Sequence, residues 1–441
     1  MLVQHNQLVN IFDIHNNWWI IPFICVLKGF SILNFWNNKK IILIVSGGIA
    51  AYRGMDLIRS FREKGARVTV IATASALEFV TALSFQALSG EPVHTELFKP
   101  GRDDAMDHIR LTREADLLVV APATANLMAK AAQGLADDLA STVILAHNGP
   151  LLVAPAMNTV MWEKPATQRN RRQLERDGAY IVEPASGLLA CGDEGAGRLA
   201  PVEQIVEAAH SLLTTKTLAG HRLLITAGPT HEALDPVRFI ANHSSGKMGW
   251  SICRAALRAG ATVDLVHGPV SLAPPMGARC HPVISAQQMY ETCLNLWQEE
   301  NGCDGAILTA AVGDFRPKAR HPDKIKKQAS STELELSLTC NPDILASLAR
   351  SAAGRLVVGF AAETGKALER GREKIQRKGC DLLVINDLLE KGAGFGVDTN
   401  RVSLLDRAGE MTHWPLLSKA EVGEKLIQTI APLLDSTRRA E

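Results

Sequence analysis

Several short stretches of the sequence combine residue types that could carry chemistry. Residues 46–52, SGGIAAY, follow an apolar run and precede a predicted helix. Glycines let backbone amides approach a phosphate closely, and the start of a helix offers unpaired N–H donors. The stretch is not GxGxxG, and Thr73 rather than an acidic residue ends the next predicted strand, which favours a mononucleotide such as FMN over NAD. A tight turn that binds no ligand is the alternative interpretation.

The layout of strand, small polar residues and helix recurs at APATANLMAK (121–130) and PAMN (155–158). The amide of Asn158 can bind a carboxylate, although an asparagine at a strand end is more often a turn or cap residue. Cys191 lies in a glycine-rich stretch, 186–200, for which we predict a mobile loop outside the core. A cysteine on such a loop can act as an acid, whereas a buried cysteine is usually inert.

The densest motif of the chain is TAGPTHEALDPVRFIANHSSGKMG, residues 226–249. Its SSGKMG portion does not satisfy GxxxxGK[ST], so a P-loop is rejected. What remains is a Gly/Ser turn with Lys247 before a helix, which suits an anionic oxygen. A plain helix start capped by Ser244 or Ser245 is the alternative.

A second charged region follows the predicted strand 305–312. It provides an acid at Asp314 and basic residues from Lys324 onward, which could clamp a triphosphate or simply form a solvated face. Lys374 and Lys378 are spaced i, i+4 and therefore share one helix face, where they could meet one anion. Helix solubility is the other explanation for this pair.

The elements that must position these residues follow a regular pattern. Short apolar runs without alternation predict strands, and the runs between them predict helices, as at 55–65. The predicted strands are 41–46, 67–73, 117–123, 151–156 and 180–185, and then 222–229, 262–268, 305–312, 356–363, 382–387 and 401–405. Such strands indicate parallel sheets covered on both faces, which bind ligands at the carboxyl ends of their strands.

The restart of this pattern predicts two α/β, Rossmann-like domains. We place the first, flavodoxin-like domain at 39–210, a linker at 211–221, and a second nucleotide-binding α/β domain at 222–441. Residues 1–38 contain three of the seven tryptophans and an apolar run too interrupted for a spanning helix, without the basic n-region of a signal peptide. We predict that this extension is a non-native or poorly ordered segment outside the fold, with a membrane anchor as the less favoured alternative.

The composition excludes several function classes. The 47 basic and 46 acidic residues leave a formal charge of +1, so no overall basic field exists to hold nucleic acid or an anionic membrane. Hydrophobic residues at 46% and charged residues at 21% are typical of a globular protein. The eight cysteines form no CxxC pair, which argues against a disulfide scaffold or a clustered zinc site. We therefore expect a reduced, cytoplasmic enzyme.

The motifs of the first half occur together in a known order. SGGIAAY, His108, PATAN, PAMN and ACGD follow one another as in flavin-dependent cysteine decarboxylases, and this half resembles phosphopantothenoylcysteine decarboxylase. Taken alone, His108 would more simply be a surface histidine. The resemblance implies bound FMN, which would accept a hydride from the carbon that bears sulfur, so that the resulting C=S group takes up the electron pair left when CO2 departs. It also implies that His108 is the acid/base for the thiol step, that Asn158 holds the substrate carboxylate, and that Cys191 donates the final proton.

The resemblance assigns the flavin site to a set of strand-end residues. These are Ser46, Gly47, Gly48, Ile49, Thr73, Ala123, Thr124, Ala125 and Asn126. The sequence departs from the family pattern at Asp138, where an asparagine is usual, and we expect this change to modulate flavin contacts without abolishing binding. The family's decarboxylase sites form between subunits, which implies a homo-oligomer.

The second half resembles phosphopantothenate–cysteine ligase over most of residues 220–435, and the fused order is that of the bacterial bifunctional coenzyme A biosynthesis family. The resemblance implies that CTP activates 4′-phosphopantothenate as an acyl-cytidylate, and that the amine of L-cysteine then displaces CMP. Mg²⁺ or Mn²⁺ would neutralise the departing pyrophosphate. Lys324 is implied in acyl-cytidylate formation, and Asn242 in contacting the intermediate.

The implied CTP site draws on several loops and one helix. Its residues are Leu308, Thr309, Ala310, Asp314, Lys324, Pro342, Asp343, Ile344, Leu345, Phe360, Lys374 and Lys378. Gly313 stands where the family more often has alanine, and we expect it to loosen a backbone contact. Two other function classes are alternatives to the bifunctional enzyme: a flavin-binding regulatory protein without catalysis, and a general Rossmann-type oxidoreductase.

Overall fold

The computed structural model describes residues 35–98, 107–326, 334–363, 367–387 and 397–438. The chain divides into two compact units, Met1–Val202 and Glu203–Glu441. Most of the predicted extension, residues 1–34, lies outside the described residues. No helix in the described ranges has both the length and the apolar character that a membrane-spanning segment requires.

The first unit is built on a parallel sheet of five strands in the order β2-β1-β3-β4-β5. The strands of this unit are β1 (Lys40–Val45), β2 (Arg67–Ala72), β3 (Leu117–Ala123), β4 (Leu151–Pro155), β5 (Tyr180–Ile181), β6 (Ala185–Leu188) and β7 (Glu194–Arg198). Its helices are α1 (Arg53–Glu63), α2 (Ala74–Leu77), α3 (Ala82–Ser89), α4 (Asp107–Glu114), α5 (Ala125–Gln133), α6 (Leu139–Ala146), α7 (Thr159–Glu163) and α8 (Pro165–Arg176), with a 3₁₀ helix at Ile49–Tyr52. All seven residues of β3 are buried, as expected for a central strand covered on both faces.

Two segments that we predicted to lie outside the first core are part of the fold. Trp36 is only 3% exposed, and its ring centroid lies 5.5 Å from that of Phe61 in α1. The prediction that residues 1–38 are outside the fold is therefore wrong for this residue. Residues 186–200 contain most of the antiparallel hairpin β6–β7 and are not simply a mobile loop. The cause in both cases is packing, which composition alone did not reveal.

The second unit contains an eight-stranded sheet in the order β12-β11-β8-β13-β16-β17-β19-β20. Its strands are β8 (Arg222–Ala227), β9 (His231–Ala233), β10 (Phe239–Ala241), β11 (Thr262–His267), β12 (Arg279–Pro282), β13 (Gly305–Leu308), β14 (Phe315–Pro317), β15 (Leu338–Cys340), β16 (Leu356–Glu363), β17 (Leu382–Asp387), β18 (Thr399–Asn400), β19 (Val402–Asp406), β20 (Met411–His413) and β21 (Leu417–Ser418). Strands β12 through β17 in this order are parallel, and β19 and β20 continue the sheet antiparallel. Separate hairpins pair β9 with β10 and β14 with β15, and β18 pairs with β21.

Helices cover both faces of the second sheet. They follow α9 (Val202–Leu213) in the chain and are α10 (Lys247–Arg258), α11 (Ala286–Gln298), α12 (Ile344–Arg350), α13 (Ala367–Lys378) and α14 (Lys419–Arg438). Helices α10 and α14 pack on one face and α11, α12 and α13 on the other, which gives two separate apolar clusters. The prediction of two α/β folds with parallel sheets is confirmed.

Helix α9 lies at the sequence boundary between the units. All but its first residue falls in the second unit, so it overlaps the end of the predicted first domain and the start of the predicted linker. Arg258 of α10 donates from Nη2 to Glu207 of α9 at 2.6 Å and from Nη1 to Glu424 of α14 at 2.8 Å. This arginine therefore joins three helices of one unit.

Candidate active sites

Three strand ends of the first sheet are tied together by hydrogen bonds. Ser46, directly after β1, is 2% exposed, and its Oγ donates to the carbonyl oxygen of Pro122 at 2.7 Å. The same Oγ accepts from the amide of Thr124 at 2.9 Å. The amide of Thr73, after β2, donates to the carbonyl oxygen of Val45 at 3.1 Å. Because β2, β1 and β3 are parallel neighbours, these strand ends form one edge of the sheet.

A short helix begins at each of these strand ends. Thr73 and Thr124 are the N-caps of α2 and α5, and their side-chain oxygens accept from the amides of Ala76 at 3.2 Å and Leu127 at 3.4 Å. The hydroxyl groups of the site are thus already engaged. The structure brings together at this edge the residues predicted for the flavin: Ser46, Gly47, Gly48, Ile49, Thr73, Ala123, Thr124, Ala125 and Asn126.

Backbone amides remain available for a ligand at the start of the 3₁₀ helix that follows β1. A Cβ at Gly47 would lie 2.2 Å from the Cβ of Ser75, so glycine alone allows this close approach to α2. The amides of Gly47, Gly48 and Ile49 have no hydrogen-bond acceptor within the described part of the chain. The side chain of Ile49 is 62% exposed beside them. Such N–H donors next to apolar surface fit a ligand that carries both a phosphate and an apolar ring system.

A second group of polar residues forms around the predicted acid of the first unit. Nδ2 of Asn158 donates to Sγ of Cys191 at 3.3 Å and to Oδ2 of Asp193 at 2.8 Å. The thiol of Cys191 donates to the same carboxylate oxygen at 3.3 Å. Asn158 also caps α7, because its Oδ1 accepts from the amide of Val160 at 2.8 Å. Two residues that the sequence analysis singled out separately are therefore in direct contact.

Glycines explain why the hairpin β6–β7 can reach this position. A Cβ at Gly197 would lie 2.2 Å from the carbonyl oxygen of Met157, and one at Gly195 would lie 2.7 Å from Oγ1 of Thr159. The amide of Met157 donates to the carbonyl oxygen of Gly197 at 3.0 Å, which joins the strand to the PAMN segment. The glycines thus place the tip of the hairpin, with Cys191, beside Asn158.

Asp193 is a site residue that sequence reasoning missed, although it belongs to the quoted ACGD motif. Its hydrogen bonds from Asn158 and Cys191 hold the pKa of the Asp193 carboxyl below its ordinary value. His108 lies half-buried in α4. No hydrogen bond or ion pair joins His108 to the other three residues within the ranges that the structure describes.

The unusual residue Asp138 has a clear structural part. It is the N-cap of α6: its Oδ1 accepts from the amide of Ser141 at 2.8 Å, and its own amide donates to Oγ of Ser141 at 3.2 Å. Its Oδ2 accepts from Nζ of Lys130 at 2.7 Å. Burial alone would raise the pKa of Asp138, but the bonds from Lys130 and Ser141 outweigh it and lower the pKa. The carboxylate therefore links α6 to α5, the helix that begins at the predicted flavin edge.

The corresponding edge of the second unit is also interlocked. Oγ1 of Thr309 donates to the carbonyl oxygen of Thr226 at 2.6 Å, and the amide of Ala310 donates to Oγ1 of Thr226 at 3.2 Å. The amide of Gly313 donates to Oγ1 of Thr230 at 3.1 Å. These bonds hold the strand ends of β8 and β13 against each other.

Asn242 and Asp314 are brought to this same edge. Nδ2 of Asn242 donates to the carbonyl oxygen of Val312 at 3.0 Å. Asn341 donates from Nδ2 to the carbonyl oxygen of Gly313 at 2.7 Å. Its backbone amide donates to the carbonyl oxygen of Asp314 at 2.8 Å. Two connected segments, the end of β13 with its loop and the loop that leads into α12, therefore carry the predicted residues Leu308, Thr309, Ala310, Asp314, Pro342, Asp343, Ile344 and Leu345.

The two lysines predicted for the CTP site lie on helix α13 and not on these loops. Lys378 donates from Nζ to Oδ2 of Asp343, which is itself the N-cap of α12. Burial would raise the pKa of Asp343, but the bonds from Lys378 and the amide of Ala346 lower it. Lys374 lies one turn earlier on α13. Phe360, in β16, packs against the apolar cluster of α10 and α14, on the other face of the sheet from α12 and α13.

The GKMG segment begins a helix without a side-chain cap. Helix α10 starts at Lys247, and its N-cap is Gly246 at a φ of 76°, so the alternative that Ser244 or Ser245 caps it is wrong. A Cβ at Gly249 would lie 2.4 Å from the Cβ of Ala227 and 2.7 Å from Oγ1 of Thr309. Glycine here lets α10 start directly against β8 and the end of β13.

Lys324 is exposed on the segment that follows β14. Among the residues that the structure describes, no cluster of three or more His, Cys, Asp and Glu side chains could hold a metal ion.

Comparison with known proteins matches both units. Residues 34–214 fit the family model Flavoprotein, and residues 218–433 fit the model of the DNA/pantothenate metabolism flavoprotein C-terminal domain. The chain is 44% identical over 405 residues to the Coenzyme A biosynthesis bifunctional protein CoaBC of Bacillus subtilis, covering 91% of this chain and 98% of that protein. It is 44% identical over 408 residues to the protein of the same name from Escherichia coli, covering 91% and 99%.

Among solved structures, the C-terminal domain of a Coenzyme A biosynthesis bifunctional protein CoaBC is similar at 37% identity and a TM-score of 0.43, covering 50% of this chain and 100% of that domain. The matches to complete relatives span nearly the full length of both chains. The chain belongs to the family of coenzyme A biosynthesis bifunctional proteins.

Proposed function

We propose that the chain converts 4′-phosphopantothenate to 4′-phosphopantetheine in two steps, a CTP-dependent ligation to L-cysteine and an FMN-dependent decarboxylation. The observation that carries the proposal is the contact of Asn158 with Cys191 at the end of β4, in a domain of the flavoprotein family. The second unit, of the ligase family type, provides a separate site at the carboxyl edge of its sheet. The chain is a bifunctional enzyme of coenzyme A biosynthesis, and these two sites account for its two activities.

The ligation takes place in the second unit. A carboxylate oxygen of 4′-phosphopantothenate attacks the α-phosphorus of CTP, and the bond to pyrophosphate breaks. The amine of cysteine then attacks the acyl carbon, and CMP leaves. Lys324 stabilises the charge that develops as pyrophosphate departs, and Asn242 holds the acyl-cytidylate. The exposed position of Lys324 and the attachment of Asn242 to the β13 loop support these roles.

The decarboxylation takes place in the first unit. Ser46, Gly48 and Thr124 form the edge that would hold FMN, and the bound flavin would supply the hydride transfer that the chemistry requires. The amide of Asn158 binds the substrate carboxylate, and Cys191 donates the proton in the last reduction. The hydrogen bond from Cys191 to Asp193 exists only while the sulfur carries its proton, which suits an acid.

We propose that His108 completes this site from a second copy of the chain, in a homo-oligomer whose decarboxylase sites lie between subunits. The support for this proposal is the resemblance of the first half to the flavin-dependent cysteine decarboxylases. In solution this assembly is measurable by sedimentation.

A mass-resolved assay with 4′-phosphopantothenate, L-cysteine, CTP and Mg²⁺, each omitted in turn, tests the proposal. Wild-type protein is expected to form 4′-phosphopantetheine only when both cysteine and CTP are present. Lys324→Gln should lose ligation and still decarboxylate supplied phosphopantothenoylcysteine. Cys191→Ser should ligate and release CO2 but accumulate the unreduced enethiol.

The result that would contradict the proposal is equally direct. Binding of FMN without any turnover of phosphopantothenoylcysteine would favour a flavin-binding regulatory protein. Normal ligation by Lys324→Gln would show that the activation site lies elsewhere.

A further inference from the structure

A buried carboxylate connects the two segments that carry the residues assigned to the ligase reaction. Asp235 belongs to the turn between β9 and β10, and it is only 2% exposed. Asn242 directly follows β10, so both residues are carried by one hairpin. A buried carboxylate is costly unless its oxygens are fully satisfied by donors. The hydrogen bonds of Asp235 therefore show what it holds.

The first oxygen of Asp235 fixes its own turn. Its Oδ1 accepts from the amides of Val237 and Arg238, both at 2.8 Å. The amide of Leu234 donates to the carbonyl oxygen of Arg238 at 2.9 Å and closes the turn from the other side. These local bonds define the shape of the hairpin that leads to Asn242.

The second oxygen reaches across 90 positions of sequence. Oδ2 of Asp235 accepts from the amide of Ile325 at 3.1 Å and from Nε of Arg238 at 2.9 Å. Arg238 in turn donates from Nη2 to the carbonyl oxygen of Ile325 at 2.6 Å. Both backbone groups of the residue after Lys324 are thus held by the Asp235–Arg238 pair.

A further contact holds the segment before Lys324. The amide of His321 donates to the carbonyl oxygen of Leu234 at 2.9 Å. The segment that carries the exposed Lys324 is therefore fastened on both sides to one turn, and that turn also fixes the start of the strand before Asn242. Burial alone would raise the pKa of Asp235, but the hydrogen bonds from backbone amides and Arg238 outweigh it and keep the pKa well below its usual range. Asp235 therefore accepts these bonds as an ionised carboxylate.

We propose that Asp235 is a positioning residue that fixes Lys324 relative to Asn242 during acyl-cytidylate formation. This inference rests on the proposed role of Lys324. Asp235 does not touch the reacting atoms; it acts through the backbone of Ile325. A displacement of about 1 Å in a reacting group can cost a hundredfold in rate, so the loss of this attachment lowers turnover even where the hairpin stays folded.

The variant Asp235→Asn isolates this attachment. Its remaining side-chain oxygen can still accept from the amides of Val237 and Arg238. Its NH2 group then faces the N–H groups of Ile325 and Arg238, so two donors meet and the bond to Ile325 is lost. The control is Asp264→Asn, which alters another buried aspartate of the same unit: Asp264 is 1% exposed and accepts from Arg222 at 2.7 Å and His281 at 2.9 Å, away from the loops of the site.

The experiment measures CTP-dependent release of pyrophosphate and, separately, cysteine transfer from supplied acyl-cytidylate, in the full-length chain. Asp235→Asn is expected to lower the first rate roughly ten- to a hundredfold and to change cysteine transfer much less. Asp264→Asn should leave both rates close to those of the wild type at temperatures below its melting transition. Hydrogen exchange at the amide of Ile325 should be faster in Asp235→Asn and unchanged in Asp264→Asn.

A double variant separates positioning from a merely structural role. If Asp235 acts through Lys324, Lys324→Gln combined with Asp235→Asn releases pyrophosphate as slowly as Lys324→Gln alone. Multiplied losses, or wild-type pyrophosphate release by Asp235→Asn, would overturn the inference. Wild-type activity of Lys324→Gln would instead overturn the proposed role of Lys324 and this inference with it, so the two failures are distinguishable.

Discussion

The two units present their reactive residues from parallel sheets of the same type, but hold them by different physical means. In the first unit, Cys191 reaches Asn158 because Gly195 and Gly197 let backbone pack directly on the PAMN segment. In the second unit, the segment of Lys324 is attached to its hairpin by the buried carboxylate of Asp235. Close packing tolerates no added atom, whereas a charged attachment tolerates shape changes but requires the correct donors and acceptors. The two activities should therefore fail under different kinds of substitution.

The largest effect is expected from an added methyl group in the first unit. Gly197→Ala places a Cβ 2.2 Å from the carbonyl oxygen of Met157 at a φ of 149°, which forces the hairpin away from Asn158. Decarboxylation of phosphopantothenoylcysteine should fall roughly a hundredfold, while ligation is retained. Gly178→Ala is the matched control, because it also has a positive φ but no atom within 4 Å of the new Cβ. Equal activity of the two variants would show that the packing of Gly197 does not place Cys191.

A smaller effect is expected when the carboxylate of Asp193 is removed from its contact with Asn158 and Cys191. Asp193→Ala removes the acceptor shared by Asn158 and Cys191, so decarboxylation should fall about tenfold, less than the roughly 10²–10⁴-fold that a positioned acid contributes. Asp193→Asn keeps an oxygen acceptor and should lose less. Because its pKa is lowered, Asp193 stays ionised above its ordinary value of about 3.9, and the pH profile above pH 5 should not change between wild type and Asp193→Asn. A new ionisation in that range would contradict this role.

Substitution of Asp138 tests whether the departure from the family pattern is structural. Asp138→Ala removes an N-cap and should lower the free energy of unfolding of the first unit by about 1 kcal/mol, whereas Asp138→Asn retains an acceptor and should cost less. The depressed pKa of Asp138 means that its contribution is present above about pH 4, the ordinary value, and is lost as pH falls through the lower folded value. Urea titrations should therefore show a larger difference between wild type and Asp138→Ala at pH 7 than at pH 3. Loss of flavin binding in Asp138→Asn would contradict a purely capping role.

The smallest effect should come from Gly313→Ala in the second unit. The added Cβ would lie 3.5 Å from the carbonyl oxygen of Phe315 and 3.6 Å from Cγ of Glu232, which are ordinary contacts. Restricting the unfolded chain should raise the free energy of unfolding by about 0.4–1 kcal/mol. Ligation should change little, because the hydrogen bond from the backbone amide of residue 313 to Oγ1 of Thr230 does not involve the new side chain. A marked fall in ligation would show that the site requires the flexibility of glycine.

The sequence predicted most strands of both sheets, because buried parallel strands are continuous apolar runs, but it did not predict the edge strands β12 and β20. Strand β3 occupies the predicted residues 117–123, and β16 occupies 356–363. The hairpin β6–β7 was missed because its glycines indicate a loop, and their actual purpose depends on Met157 and Thr159 some forty residues earlier. Contacts of this kind do not appear in local composition.

The candidate sites were predictable to a different extent. Asn158 and Cys191 stood out because each lies in a short motif, and the structure places them in contact. Asp235 gave no such signal, since an aspartate in a Pro-containing turn is ordinary and its partner Ile325 is apolar. The predicted pairing of Lys374 and Lys378 on one helix face follows from their spacing, but the bond from Lys378 to Asp343 required the packing of α12 against α13.

The position of α9 also determines how the two activities can be separated genetically. The family models meet between residues 214 and 218, and a gene split there would leave the ligase polypeptide without α9. Arg258, whose side chain is 11% exposed, would then lose Glu207 and keep Glu424 as the partner of its buried positive charge. A split after residue 202 leaves this ion pair with the ligase polypeptide. A ligase expressed alone should therefore be more stable when it carries the dozen residues, 203–214, that the family model assigns to its neighbour.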